Sequence, residues 1–300
     1  MEIENNEQLR RAFLLPWRER PAADMGQPAR WDRMAEDWRA SLAAPTLFRG
    51  DMEERVRDTV AFLEAEGALP PEGRVLDIGC GPGLFTAAFA KRTRGAVGID
   101  LSGQMIDQAE KNTAGVDNAS FLVGDFHRMS PWEAGGPYDL VFASITPGAS
   151  DPESLRKMTS LSRAHCFFSC FVRWYDDLEK RISEELLGRP YAPTHGGHHR
   201  NFYSLWNLLW LDGYYPQSGY YRQDHRERLT PDLDLALGYA HSFSRYGGDE
   251  GGEAERILAF LRAQASADGT VERNTSHWYG RLLWDVRVRT PGPERGPFQG

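Results

Sequence analysis

The chain has 300 residues, 41% of them hydrophobic and 26% charged, with a formal net charge of −8. That is enough for a sizeable core in one or two domains, and the acidic balance argues against a nucleic-acid partner, whose phosphates require clustered Lys and Arg. No apolar run approaches the ~18 residues of a membrane span, the acidic opening MEIENNEQLRR does not resemble a secretory signal, and three cysteines give no disulfide framework, so a cytoplasmic location is expected.

Residues 1–30, broken by Pro16, Pro21 and Pro28, predict a helical fragment around Glu7–Leu15 followed by an arm. In WDRMAEDWRASL, Trp31, Met34, Ala35, Trp38 and Leu42 fall on one helix face. Asp51 with Glu54 reads as a capping box opening a third helix that ends at Gly67. From Arg74 short apolar runs alternate with helical stretches, the pattern of βαβ units and a mostly parallel sheet. Strands are predicted at Arg74–Ile78, Gly95–Ile99, Ala119–Val123, Leu140–Ser144 and His165–Val172. The helices between them open near Leu84, Gly103 and Pro152, with Ser102 capping the second. After Trp174 the alternation stops, and residues 174–221, rich in His, Trp and Tyr, read as an insertion or substrate cap. A strand at Tyr220–Arg228, a helix opened by Thr230 and Pro231, a helix holding Ile257, Leu258 and Leu261, and a last strand at His277–Val288 follow. The Pro/Gly-rich tail, 291–300, is expected to be disordered.

The stretch VLDIGCGPGLF carries the chemistry. A glycine-rich turn between strand and helix exposes main-chain N–H groups and lets a ligand approach the backbone. Gly79, Gly81 and Gly83 are spaced G-x-G-x-G, whereas the dinucleotide fingerprint is G-x-G-x-x-G. Asp77 ahead of them would repel a pyrophosphate and attract an ammonium group, which favours an amino-acid-bearing nucleoside over NAD.

On these residues the segment from Arg74 to Val172 resembles the class I S-adenosylmethionine-dependent methyltransferases, whose first motif is an acid followed by G-x-G-x-G. The resemblance implies a Rossmann-like α/β fold: a seven-stranded, mostly parallel sheet whose last strand is antiparallel. An N-terminal arm and helical lid would occupy 1–70, and the methyltransferase domain 71–290, with the aromatic-rich insertion after the fifth strand. It further implies S-adenosyl-L-methionine as cofactor and S-adenosyl-L-homocysteine as product. Asp77, Gly79, Cys80, Gly81 and Gly83 would hold its methionine part. GAVGIDLSGQM matches the second motif, so Asp100 would accept the ribose hydroxyls, with Leu101 and Met105 lining the adenine side. FLVGDF matches the third, giving Asp125 the adenine amino group and the backbone of Phe126 the ring edge. YDLVFAS places Ala143 and Ser144 beside cofactor and substrate, and WDRMAEDW resembles a helix closing over the methionine end through Trp31 and Trp38; the alternative is a helix simply packed on the sheet.

Methyl transfer from a sulfonium is an in-line displacement in which orientation supplies much of the rate, so no diagnostic triad is needed. The fourth strand ends in ASITPG and not in the N/D-P-P-Y/F pattern of family members acting on adenine or amide nitrogens, and no basic module is present, so a small-molecule acceptor is expected. His195, His198 and His199 lack the fourth ligand of a zinc site, and no metal is assigned to them. Proton transfer and simple exposure both remain open, and His195, His198 and Tyr203 are the candidate catalytic residues. Trp206 and Trp210 read as core, and Cys166 and Cys170 as buried packing on one strand face. A macromolecule-directed methyltransferase and a non-catalytic cofactor-binding regulator are the alternatives, and monomer and homodimer both stay open.

Overall fold

The computed structural model describes residues 2–18, 47–131, 133–192, 198–244 and 250–290. The predicted helix carrying Trp31 and Trp38, residue His195 and the 291–300 tail lie outside the described residues. Helix α1 (Glu2–Arg18) is longer than the expected fragment and contains Pro16 near its end. Helix α2 (Leu47–Ala65) begins before Asp51, so the Asp51–Glu54 pair lies inside it and not at its start. Its end is as expected: Gly67 takes φ +67°, and the Ala68 N–H returns to the Leu63 carbonyl at 2.8 Å.

Seven strands follow: β1 (Arg74–Ile78), β2 (Gly95–Asp100), β3 (Ala119–Val123), β4 (Tyr138–Ser144), β5 (Ser162–Asp176), β6 (Gln217–Leu229) and β7 (Val271–Asp285). They lie in the order β3-β2-β1-β4-β5-β7-β6. The β1–β2, β1–β4, β2–β3 and β4–β5 pairs are parallel, which makes a mixed, mostly parallel sheet of Rossmann-like α/β type. Helices α3 (Leu84–Ala90), α4 (Gly103–Asn112) and α5 (Pro152–Leu161) link the parallel strands. Covered strands can be apolar without alternation, which is why β1 and β4 read so plainly in the sequence. Phe142 of β4 sits in the core with ring centroids 4.8 Å from Phe85, 4.9 Å from Phe89 and 4.9 Å from Phe167. Truncating so central a ring typically costs about 3–5 kcal/mol.

Two compact units divide the chain: Met1–Cys170 with Arg200–Gly219 and Gly280–Gly300, and Phe171–His199 with Tyr220–Tyr279. Helix α7 (His198–Leu211) enters the first unit from Arg200 onward. Leu205, Leu208 and Leu209 supply its buried face, whereas Trp210 is 54% exposed, so the expectation of a core Trp210 is corrected. The helix has more apolar residues than one face can hold.

The second unit has its own core. It forms from Leu178 of α6 (Asp177–Arg181), Ile182 of the π turn after it, Ala236, Tyr239, Ala240 and Phe243 of α8 (Leu233–Ser244), and Ala254, Ile257 and Leu261 of α9 (Glu250–Ala263). Helix α8 starts after Thr230 and Pro231 because Asp232 is the cap, its Oδ1 accepting the Leu235 N–H at 2.8 Å. Strand β7 starts six residues before the expected His277 and ends before Val288. Its polar opening survives as strand because each side chain is partnered: Arg273 with Glu227, Asn274 with Asp177, and Ser276 with Asp224. Strand β5 likewise extends beyond His165–Val172 at both ends, with Arg163 gripping Asp139 bidentately at 2.7 Å through each nitrogen.

Candidate active site

The parallel register puts the ends of β1, β2, β3 and β4 at one edge: Ile78 faces Ile99 and Ala143, and Asp100 faces Val123. Open α/β sheets bind ligands at this carboxyl edge. The glycine loop leaves β1 and is fastened to β2, since the Gly79 and Cys80 N–H groups both donate to the Ile99 carbonyl, at 2.7 and 3.0 Å. Gly79 has φ +64°, and a Cβ there would lie 2.0 Å from the Thr146 hydroxyl, so only glycine fits. Gly81 differs. Its φ is +52°, and a Cβ would meet nothing within 4 Å, which leaves open space directly over the main chain. Gly83, in the left-handed region at φ +77°, is the N-cap of α3.

Asp100, the last residue of β2, ties this loop to the next. Its Oδ2 accepts the Gly81 N–H and its Oδ1 accepts the Ser102 N–H, both at 2.9 Å. Two backbone donors on one carboxylate fix its plane. Ser102 caps α4 as expected, its hydroxyl accepting the Met105 N–H at 3.2 Å. Met105 is buried and Leu101 half-buried.

Asp77 is 2% exposed, and its Oδ2 accepts the Thr86 hydroxyl at 2.6 Å. Burial, which outweighs that hydrogen bond and is reinforced by the nearby Asp100, pushes its pKa up to about 7. The Cys80 thiol is pushed up as well, by burial first and by Asp77 and Asp100 next, so it is no nucleophile.

After β3, Asp125 and Phe126 lead a tight turn. The Asp125 carboxylate accepts the His127 N–H at 3.0 Å, and its carbonyl accepts the Arg128 and Met129 N–H groups. Lys157, from α5, holds this turn: its Nζ donates to the Phe126 and Met129 carbonyls and stands 4.4 Å from the Phe126 ring centroid. Burial lowers the Lys157 pKa. At the end of β4, Ala143 is buried and the Ser144 hydroxyl lies 2.8 Å from that of Ser169. Ile145 then takes φ +52°, an uncommon conformation for a β-branched residue, and its N–H donates to the Ser169 carbonyl at 2.8 Å.

Of the expected site residues, Asp77, Gly79, Cys80, Gly81, Gly83, Asp100, Leu101, Met105, Asp125, Phe126, Ala143 and Ser144 come together on β1–β4 and the turns that follow them. Tyr203 lies on α7, 62% exposed, its ring edge-on to Phe13 at 5.8 Å. The backbone of His198 opens α7. Thr86, Thr146, Lys157 and Ser169 were missed by sequence reasoning. Thr86 and Thr146 sit close in sequence to known motifs and were within reach; Lys157 and Ser169 meet the site only through the fold. The Cys166 and Cys170 thiols are pushed up by desolvation, the latter to about 12; Cys166 is buried as expected, whereas Cys170 is only half-buried.

The strand order and the helices that link the parallel strands define a Rossmann-like α/β domain. Residues 75–165 match the family model described as "Methyltransferase domain". Over 102 residues the chain is 35% identical to a 23S rRNA (uracil(1939)-C(5))-methyltransferase of Xanthomonas axonopodis pv. citri, covering 32% of this chain and 22% of that one. It is 34% identical over 102 residues to a trans-aconitate 2-methyltransferase of Variovorax paradoxus, covering 33% and 37%. The match thus spans well under half the length of these curated relatives. Among solved structures, magnesium protoporphyrin IX methyltransferase from Synechocystis with bound SAH aligns with a TM-score of 0.47 and 20% identity, covering 64% of this chain and 90% of that one.

Proposed function

We propose that the protein is an S-adenosylmethionine-dependent methyltransferase acting on a small-molecule acceptor. The observation that carries this reading is Asp100, held by the Gly81 and Ser102 N–H groups beside a glycine whose main chain opens onto free space. Fixed in this plane, Asp100 is suited to accept vicinal ribose hydroxyls, while Asp77, at the base of the glycine turn, would attract an ammonium group and Asp125, after the next strand, would accept an adenine amino group. The residues present therefore fit an amino-acid-bearing nucleoside and offer no cradle for a diphosphate, which an acid pair would repel.

When bound, S-adenosylmethionine supplies an electrophilic methyl group. The chain's own part is to orient it through Asp100 and Asp125 and to exclude water. Ser144 stands at the β4 end where an acceptor would lie. His195, His198 and Tyr203 are the residues we assign to the acceptor side. The rRNA methyltransferase relative raises a second reading, an RNA acceptor, but a net charge of −8 weighs against phosphate-driven binding.

Calorimetry with S-adenosylmethionine and S-adenosylhomocysteine tests the reading. Micromolar binding, on the order of 8 kcal/mol, is expected for wild type, with a loss of at least tenfold for Asp100→Ala. Equal affinity in the two proteins would remove Asp100 from the site. Methyl transfer from labelled cofactor into a metabolite extract, and not into total RNA, separates the two acceptor classes.

A further inference from the structure

The turn after β3 is held from α5 at two points. Near the helix start, the Ser154 hydroxyl donates to Asp151 Oδ2 at 2.8 Å and lies 3.1 Å from His127 Nδ1. One turn further on, the Lys157 Nζ donates to the Phe126 and Met129 carbonyls, with the ammonium over the Phe126 ring. Burial opposes its charge, and the carboxylates of Asp125, Glu133 and Glu153 favour it.

One peptide unit links this lysine to Asp125. The Phe126 carbonyl and the His127 N–H belong to the same planar amide, so they turn together. Lys157 holds the carbonyl, and Asp125 Oδ1 accepts the N–H at 3.0 Å. The lysine thus sets the amide plane, and the amide sets the carboxylate. The second oxygen, Oδ2, lies 3.4 Å from the guanidinium of Arg128, whose side chain is 89% exposed. A surface pair of that kind is weak and gives way to a ligand donor.

We propose that Lys157 is a positioning residue for nucleobase recognition: by fixing the Phe126–His127 amide it holds the Asp125 carboxylate ready for the adenine amino group. This role rests on the S-adenosylmethionine reading and concerns its base end. A lysine that merely braced the turn would, when removed, weaken every ligand of the site alike, whereas one that aims Asp125 acts on ligands that carry the amino group. Calorimetry on the full chain with S-adenosylhomocysteine and with S-inosylhomocysteine, in which an oxygen replaces that amino group, tells the two apart. Wild type is expected to prefer the adenosyl compound by at least about tenfold, because an oxygen facing a carboxylate leaves both without a donor. Lys157→Met keeps the stem and removes the donors, and should reduce the preference to under about threefold through weaker binding of the adenosyl compound. Lys157→Arg should keep the preference, since a guanidinium has donors enough for two carbonyls. Asp125→Ala should abolish it, and Lys157→Met added to that variant should change nothing further. If Lys157→Met does not fold, Lys157→Gln, which keeps one donor group, takes its place and the same drop is expected. The proposal is overturned if the substituted chain keeps the full preference, whether or not both ligands weaken together, or if Lys157→Arg loses it. A wild type that binds the adenosyl compound with no preference also overturns it and leaves the cofactor reading in place; a wild type that binds neither compound overturns both.

Discussion

The two units hold their polar groups in different ways. In the first, Asp100 and Asp125 at the β1–β4 edge are held by main-chain N–H groups, Asp100 by Gly81 and Ser102 and Asp125 by His127, while Asp77 takes the Thr86 hydroxyl. In the second, acids are held mostly by side chains: Arg226 with Glu272, Arg228 with Asp268 and Arg273 with Glu227. Backbone-held sites require particular residues at fixed spacing, because a glycine must reach left-handed φ and an acid must end a strand. Side-chain pairs tolerate many sequences. One unit therefore advertises its chemistry, and the other does not.

Asp176 in the second unit combines both modes in a buried setting, and it gives the largest expected effect. It is 4% exposed; its Oδ1 accepts the Leu178 and Glu179 N–H groups at 2.9 and 3.0 Å, and its Oδ2 accepts the Tyr239 hydroxyl at 3.0 Å. Asp176→Ala removes a helix cap and strands a buried phenol, so urea melts should show a loss of about 3 kcal/mol. A loss under 1 kcal/mol would erase the distinction between this residue and the surface pairs.

In the glycine turn, Gly79→Ala should cost about 2 kcal/mol, because the new methyl collides with Thr146 in a conformation that alanine disfavours. Gly81→Ala carries only the conformational cost, about 1 kcal/mol, so the difference between the two melts isolates the collision.

Asp77 sharpens the comparison through pH. Its pKa is raised from 3.8 to about 7, so between those values the native chain binds more protons than the unfolded one, and stability falls as pH rises through that window. Asp77→Asn cannot ionise and should lose that slope. At pH 8 it should gain about 1 kcal/mol, the relief of the buried charge being partly offset by an amide that lacks a full set of partners. At pH 4 no gain is expected. Cofactor affinity in wild type should strengthen as pH rises through about 7, since an ammonium group favours the ionised acid. The smallest effect belongs to the surface of the second unit: Arg226→Ala, whose partner Glu272 is 37% exposed, should change stability by less than about 0.5 kcal/mol.

What could be read in advance follows the same division. β1 and β3 begin and end where the apolar pattern placed them, and Ser102 caps α4 as its position implied. The openings of β5 and β7 were missed because Arg163, Arg273 and Asn274 look like loop residues until their partners on other elements are known. Trp210 was misplaced because a helix with aromatics at every turn offers no sequence clue to which of them faces out. Lys157 left no trace, since the turn it holds lies some thirty residues upstream and no local pattern joins the two.

The Thr146 hydroxyl lies over Gly79, and its place is set by the left-handed Ile145 immediately before it. The turn after β4 and the turn after β1 are thereby packed closely against each other at Thr146 and Gly79. Any remodelling of residues 145–146 would be felt at Gly79, in the turn where the proposed cofactor would sit. Evolution of this scaffold toward a different substrate would need paired changes at both turns.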